Sequence, residues 1–267
     1  MESELPSLLK HLVSWSVSLL GKAIKEDYGN NLYLEIEKVR LQMKKMRSLG
    51  TKSWVKATSI LLANYQDFDR LTPKEQMAMA HSFSSMLELI NRCESAYRDF
   101  RLSSKKMGLG KRKPEVIVFV LTAHPTEARS PEALAIYRLI QEVLFKSLAQ
   151  GKKQVEKDLF GLLKMALRTP MARETKPTVL DEATHIFENV LKEEILALLI
   201  DFREKDLPVM FRSWVGGDKD GHPGVDEKTM METLSLSRKY LLDFIFSRLS
   251  EISLLEKTEI IKDLKKL

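Results

Sequence analysis

Histidine, aspartate and lysine crowd into two short stretches of this chain, each placed directly after a run of β-forming residues. The first stretch is Leu121-Thr122-Ala123-His124-Pro125-Thr126-Glu127, preceded by Val116-Ile117-Val118-Phe119-Val120. Of the five histidines, His124 is the one placed for chemistry. An imidazole accepts a proton or donates a hydrogen bond to an anion near neutral pH, and Pro125 stiffens the loop that would hold it. A histidine that merely caps a strand end would carry the same neighbours. The second stretch is Val215-Gly216-Gly217-Asp218-Lys219-Asp220-Gly221-His222-Pro223, after Val209-Met210-Phe211-Arg212-Ser213-Trp214. Gly216 and Gly217 let backbone approach a ligand closely and adopt positive φ. Lys219 suits a phosphate or carboxylate, with Asp218 and Asp220 orienting it; the plainer reading is a tight turn held by its own aspartates. Arg173 and Lys176 read structurally as partners of Asp181 or Glu182 at a helix start. Glu182 and His185 have the spacing of half a di-iron site, but no second copy exists in the chain, so no metal ligand is assigned.

Strands and helices must position these groups. A short apolar run without polar alternation predicts a strand at 116–122, and 209–214 repeats the design before its own polar stretch, so both are expected as strands buried on both faces, as in a parallel sheet. The polar chemistry then sits at the C-terminal edge of each strand, where parallel α/β architectures bind ligands. Helical periodicity accounts for nearly everything else. Residues 6–100 read as helices, including one over about 52–65 and one that starts at Thr72-Pro73-Lys74-Glu75, a capping threonine with proline at the first helical position. Further helices are expected from Ser130-Pro131 to about 148, over 153–168, from the Thr178–Asp181 capping box to about 202, from Asp226 to about 250, and over 255–267. Two strands that ask for neighbours on both faces do not make a stable sheet alone. They read as the first two strands of a larger parallel barrel. The expected fold class is therefore α/β and predominantly helical: residues 1–100 an N-terminal helical region, 101–115 a basic loop, and 116–267 a partial α/β barrel region.

The two polar stretches resemble the N-terminal signature motifs of the bacterial and plant type of phosphoenolpyruvate carboxylase. Leu20-Gly21-Lys22 with Glu35-Ile36-Glu37-Lys38-Val39-Arg40, and Arg173-Glu174-Thr175-Lys176-Pro177-Thr178-Val179-Leu180-Asp181-Glu182-Ala183, extend the likeness in the same order along the chain. The resemblance implies a (β/α)8-type barrel embedded in helices, a histidine, here His124, serving the carboxylation of phosphoenolpyruvate by bicarbonate, and Arg173 and Lys176 as anion contacts. It also implies Mg²⁺ as cofactor, with ligands in the part of the family beyond the two motifs. Family members are several times longer, so the expectation is an N-terminal portion that is inactive alone, with a homo-oligomer or a complementary C-terminal polypeptide as partner. This sequence departs from the family at Ser130 and Pro131, where two arginines are usual, at Lys219 for arginine, and at His222 for asparagine. Lysine offers a point charge where arginine offers a planar fork, so these exchanges are not conservative at an oxyanion site. The rival reading is a non-catalytic helical paralogue that binds or regulates a partner.

Composition narrows the class. A hydrophobic share of 44% and a charged share of 30% over 267 residues describe a soluble globular chain. The single Cys93 excludes an internal disulfide and suits a reducing compartment, and no apolar run is long enough to span a bilayer, so the expected location is cytoplasmic. Of the net charge of +6, Arg101, Lys105, Lys106, Lys111, Arg112 and Lys113 account for all of it with no acid between them. That loop lacks the aromatic platforms or recognition helix of a nucleic-acid site. It is expected to be exposed and readily cut by trypsin.

Overall fold

The computed structural model describes residues 6–49, 54–103, 116–121, 129–204, 207–217 and 224–249. Among these, the elements in chain order are α1 Ser7–Tyr28, α2 Asn30–Leu49, α3 Trp54–Asp69, α4 Pro73–Ser103, β1 Ile117–Leu121, α5 Pro131–Gln150, α6 Lys152–Arg168, α7 Val179–Val190, α8 Glu193–Glu204, β2 Val209–Ser213 and α9 Glu227–Leu249. The described residues are thus mostly helical, with one two-stranded parallel sheet among them. It divides into two compact units: Met1–Met107 with Arg129–Arg173, and Gly108–Ala128 with Glu174–Leu267.

The first unit is a helical bundle. α1 packs on α4 and α6, and α5 packs on the same two, which closes a ring of four helices; α2 lies against α1 and α4, and α3 against α2. Apolar residues recurring at helical spacing explain the ring. Leu12 and Leu20 of α1, Leu89 of α4, Ile140 and Leu144 of α5, and Leu159 and Leu163 of α6 are all almost fully buried. The turn from α1 to α2 takes a single residue, Gly29, at φ +88°, a conformation that costs a residue with a Cβ. Cys93 lies in this core with its sulfur 3.1 Å from Ser16 Oγ, and burial pushes its thiol up to about 11. It remains a neutral thiol at physiological pH.

The second unit holds the sheet. β1 and β2 pair in parallel from Ile117 opposite Val209 to Leu121 opposite Ser213, as the two apolar runs predict. Phe119 and Phe211 stack with ring centroids 5.6 Å apart. Burial on both faces does not follow. Phe119 is 51% exposed, Val120 52% and Met210 49%, because among the described residues each strand pairs only with the other. A small cluster of Ala183, Phe187 and Val215 supplies the core of this unit.

Most helix starts lie where their caps place them. Thr72 and Glu75 bond reciprocally at the start of α4, as do Thr178 and Asp181 at α7, and Asp226 Oδ1 accepts from Thr229 N ahead of α9. The single helix expected over 178–202 is instead two. α7 ends as Leu191, at φ −99° and ψ 20°, donates its N–H to the Phe187 carbonyl, and α8 restarts with Glu193 and Glu194 in its first turn. The expected helix at 255–267, and all of the basic loop beyond Ser103, lie outside the described residues.

Candidate functional site

The register of the sheet determines where the two polar stretches begin. Leu121 and Ser213 are Cα partners at the last rung, and Trp214 N donates to the Leu121 carbonyl at 3.4 Å. The two strands end level, so the chain leaves both of them at one edge of the sheet. His124 itself lies outside the described residues, as do Asp218, Lys219, Asp220 and His222. Gly216 and Gly217 are described. After β2 the backbone turns at once: Val215 N donates to Ser213 Oγ at 3.1 Å, and Gly217 N donates to the Trp214 carbonyl at 2.9 Å. Gly216 is buried at φ +73°, and a Cβ there would stand 2.5 Å from Thr233 Oγ1 of α9. Two demands therefore select glycine at this position, a left-handed backbone and a close approach to a helix. Gly217 is exposed and has more room, since its own notional Cβ would meet only the Trp214 carbonyl, at 3.6 Å. Val215 anchors the turn by burying its side chain with Ala183 and Phe187.

Arg173 and Lys176 fall at different places. Arg173 belongs to the first unit, half-buried, and its Nε donates to the Arg129 carbonyl at 3.2 Å. Lys176 is exposed and belongs to the second unit. Around Arg129 the structure adds residues that sequence reasoning passed over. Glu88 of α4, only 8% exposed, accepts through one oxygen from Arg92 Nε at 2.7 Å, Arg92 Nη2 at 2.5 Å and Arg129 Nη1 at 2.7 Å. Arg129 also forms an antiparallel bridge with Ala172, and Ser130 N donates to the Met171 carbonyl at 2.9 Å. The residue two places after Glu127 is thereby fastened to α4 and to the 170–173 segment. One signal was legible: Glu88 and Arg92 stand at i, i+4, the spacing at which a carboxylate and a guanidinium pair along one helix.

Ser130 and Pro131 serve the start of α5. Ser130 Oγ accepts from Ala133 N at 3.1 Å and donates to the Pro170 carbonyl at 2.6 Å, and Pro131 takes the first helical position. Among the described residues no three His, Cys, Asp or Glu side chains converge to hold a metal ion. The Glu182–His185 pair is therefore not part of a cluster of three such side chains among the described residues.

A family model described as "Phosphoenolpyruvate carboxylase" matches residues 112–264, more than half of the chain. The chain belongs to the phosphoenolpyruvate carboxylase family. It is 29% identical to the phosphoenolpyruvate carboxylase of Photorhabdus laumondii over 97% of its own length and 34% of the relative's. It is 30% identical to that of Pectobacterium atrosepticum, over 94% of its own length and 33% of the relative's. The chain thus spans about a third of the length of these carboxylases. The match begins before β1 and runs past α9, so both strand-ending stretches fall inside the carboxylase match. No described helix of this family member is long and apolar enough to cross a membrane.

Proposed function

We propose that this chain supplies one rim of a phosphoenolpyruvate-carboxylating centre. The observation that carries the reading is the level ending of β1 and β2 at one sheet edge, after which the His124 segment and the 216–220 stretch follow in sequence. In this reading the two strands begin a (β/α)8-type barrel. The exposed apolar side chains of the sheet support it, since they are the surface that further strands would cover. His124 serves the step in which bicarbonate and phosphoenolpyruvate give carboxyphosphate and an enolate. The enolate then attacks the released carbon dioxide to form oxaloacetate, with phosphate as the other product. Lys219 neutralises phosphate or carboxylate charge, Asp218 and Asp220 hold it in place, and Gly216 and Gly217 bring the backbone close. Arg173 and Lys176 are further anion contacts. Mg²⁺, the cofactor the family implies, would supply charge to hold the substrate. The reaction is placed in the cytoplasm.

These parts fall short of a whole catalyst. Removing a single oxyanion donor costs roughly 10²–10³ in rate, and an open two-stranded sheet excludes no water from an enolate. The chain alone is expected to give no oxaloacetate in a coupled assay with Mg²⁺ and bicarbonate. Replacing the aligned third of the Pectobacterium enzyme with this chain should give measurable turnover, lost on His124→Asn. Turnover by the isolated chain, or a hybrid indifferent to His124→Asn, would sink the reading. The second reading, a non-catalytic paralogue that binds or regulates a partner, is favoured by one observation. Where the family usually carries two arginines, Ser130 and Pro131 are committed to capping α5. A hybrid that folds, binds phosphoenolpyruvate and does not turn over would select it.

A further inference from the structure

The charge balance outside the 101–113 loop holds for the chain as a sum but not locally. From Lys38 to Gln66 there are seven basic residues, Lys38, Arg40, Lys44, Lys45, Arg47, Lys52 and Lys56, and no acid. Four of them lie on the second half of α2. Arg40 is held by Glu37 through contacts of 2.8 and 2.6 Å, whereas Lys44 and Arg47 are exposed. Beside them, α2 and the pair α1–α4 leave a groove of about 980 Å³. Val17 of α1 with Phe83 and Ile90 of α4 form its floor; Met43 and Met46 line the α2 side, where Lys44 and Arg47 also stand. Toward the α1–α2 turn, Gly21 admits the Tyr33 ring to within 3.3 Å of the place a Cβ would take, so the two helices approach closely there. Leu87, 60% exposed, lies on the α4 side.

We propose that this groove docks an acidic amphipathic helix of a partner protein. Its volume equals that of a large small-molecule site, yet it is open to solvent, whereas such ligands are usually mostly enclosed. An apolar trough between helices suits side chains at i, i+3 or i+4, and i+7 of an incoming helix. The two methionines let the wall repack around different anchors. Charge selects the sign of the partner: a helix flanked by glutamates meets Lys44 and Arg47, and one flanked by lysines is repelled. The inference stands apart from the carboxylation reading and uses none of its residues.

The test is fluorescence anisotropy on the full 267-residue chain with a labelled helix of about five turns carrying leucines on one face and glutamates beside them. A peptide with the same leucines and lysines in place of glutamates is the control. The glutamate peptide is expected to bind at least tenfold tighter, and the joint exchange Lys44→Glu with Arg47→Glu to invert the preference. Leu87→Glu, also at an exposed position, should weaken the glutamate peptide at least tenfold and reads the apolar side independently. Circular dichroism confirms that each variant is folded. Equal binding of the two peptides, no binding of either, or a preference untouched by the double exchange overturns the proposal. So does binding of phosphatidylserine vesicles without the peptide, or self-association lost in the double variant, which would assign the groove to a membrane surface or to a second copy.

Discussion

One carboxylate oxygen of Glu88 serves two guanidinium groups, and the two arginines are not equally dependent on it. Glu88→Ala leaves Arg92 and Arg129 close together without their shared anion, a change expected to cost about 3–5 kcal/mol. Arg129→Ala leaves the Glu88–Arg92 pair intact and should cost only about 1 kcal/mol. Urea midpoints at unchanged slope measure both; equal losses would mean that Glu88 acts through packing. Tyr137 gives a pH-dependent prediction. Its buried hydroxyl has no hydrogen-bond partner of good geometry, and burial pushes the phenol up to about 12, with the Ser85 hydroxyl acting the other way. The unfolded chain releases this proton at the ordinary tyrosine value and the folded chain holds it. Stability is therefore full below that value and falls as pH rises toward 12. Tyr137→Phe should be neutral or up to about 1 kcal/mol stabilising at pH 7, and should flatten the alkaline loss in urea titrations at pH 7 and 11. A steeper loss in the phenylalanine variant would refute the assignment. At this scale the sequence yielded motif residues more readily than their neighbours. His124 stands out because a histidine, a proline and a carboxylate abruptly follow five apolar residues. The Glu88–Arg129 pairing spans 41 positions, and nothing in either local pattern announces the other.

Among elements, caps were legible and breaks were not. Thr178 and Asp181 reveal the start of α7 because a capping box is a local bargain among four residues. The interruption at Leu191 carries no glycine or proline, and a continuous helical reading passes straight over it. The first strand was legible from its uncharged β-forming run and the second from its likeness to the first, but their exposure was not, since burial belongs to whatever packs against a strand. The turn after β2 is the element on which the candidate site depends most. Gly216→Ala places a methyl 2.5 Å from Thr233 Oγ1 and 2.8 Å from Thr233 Cβ, at a positive φ. The expected loss is about 2–4 kcal/mol, about 1 from the backbone and the rest from overpacking. Adding Thr233→Ala should recover only part, because the Cβ stays where it is. Thermal melts of the single and double variants decide this. Full recovery would show that strain at Gly216 is negligible.

The molecule as a whole is unevenly stabilised. Its first unit buries a broad core across α1, α4, α5 and α6, while among the described residues the second clusters only Ala183, Phe187 and Val215 with their partial neighbours. Local opening is cheapest where few apolar contacts are lost. Hydrogen exchange should therefore show slow amides in those four helices and fast ones in β1 and β2, with unfolding in more than one step. Uniform protection across both units would contradict this. The sheet has one further consequence, for handling rather than catalysis. Ile117-Val118-Phe119-Val120-Leu121 is an uncharged, β-prone run, and among the described residues its outer edge has no strand beside it. Such an edge is a template for stacking identical strands from different molecules. In concentrated solution the lifetime of the chain is then set by colloidal encounters at that edge rather than by melting of the bundle. The repulsion opposing them comes from a net charge of +6, so added salt shortens the life of a stored sample.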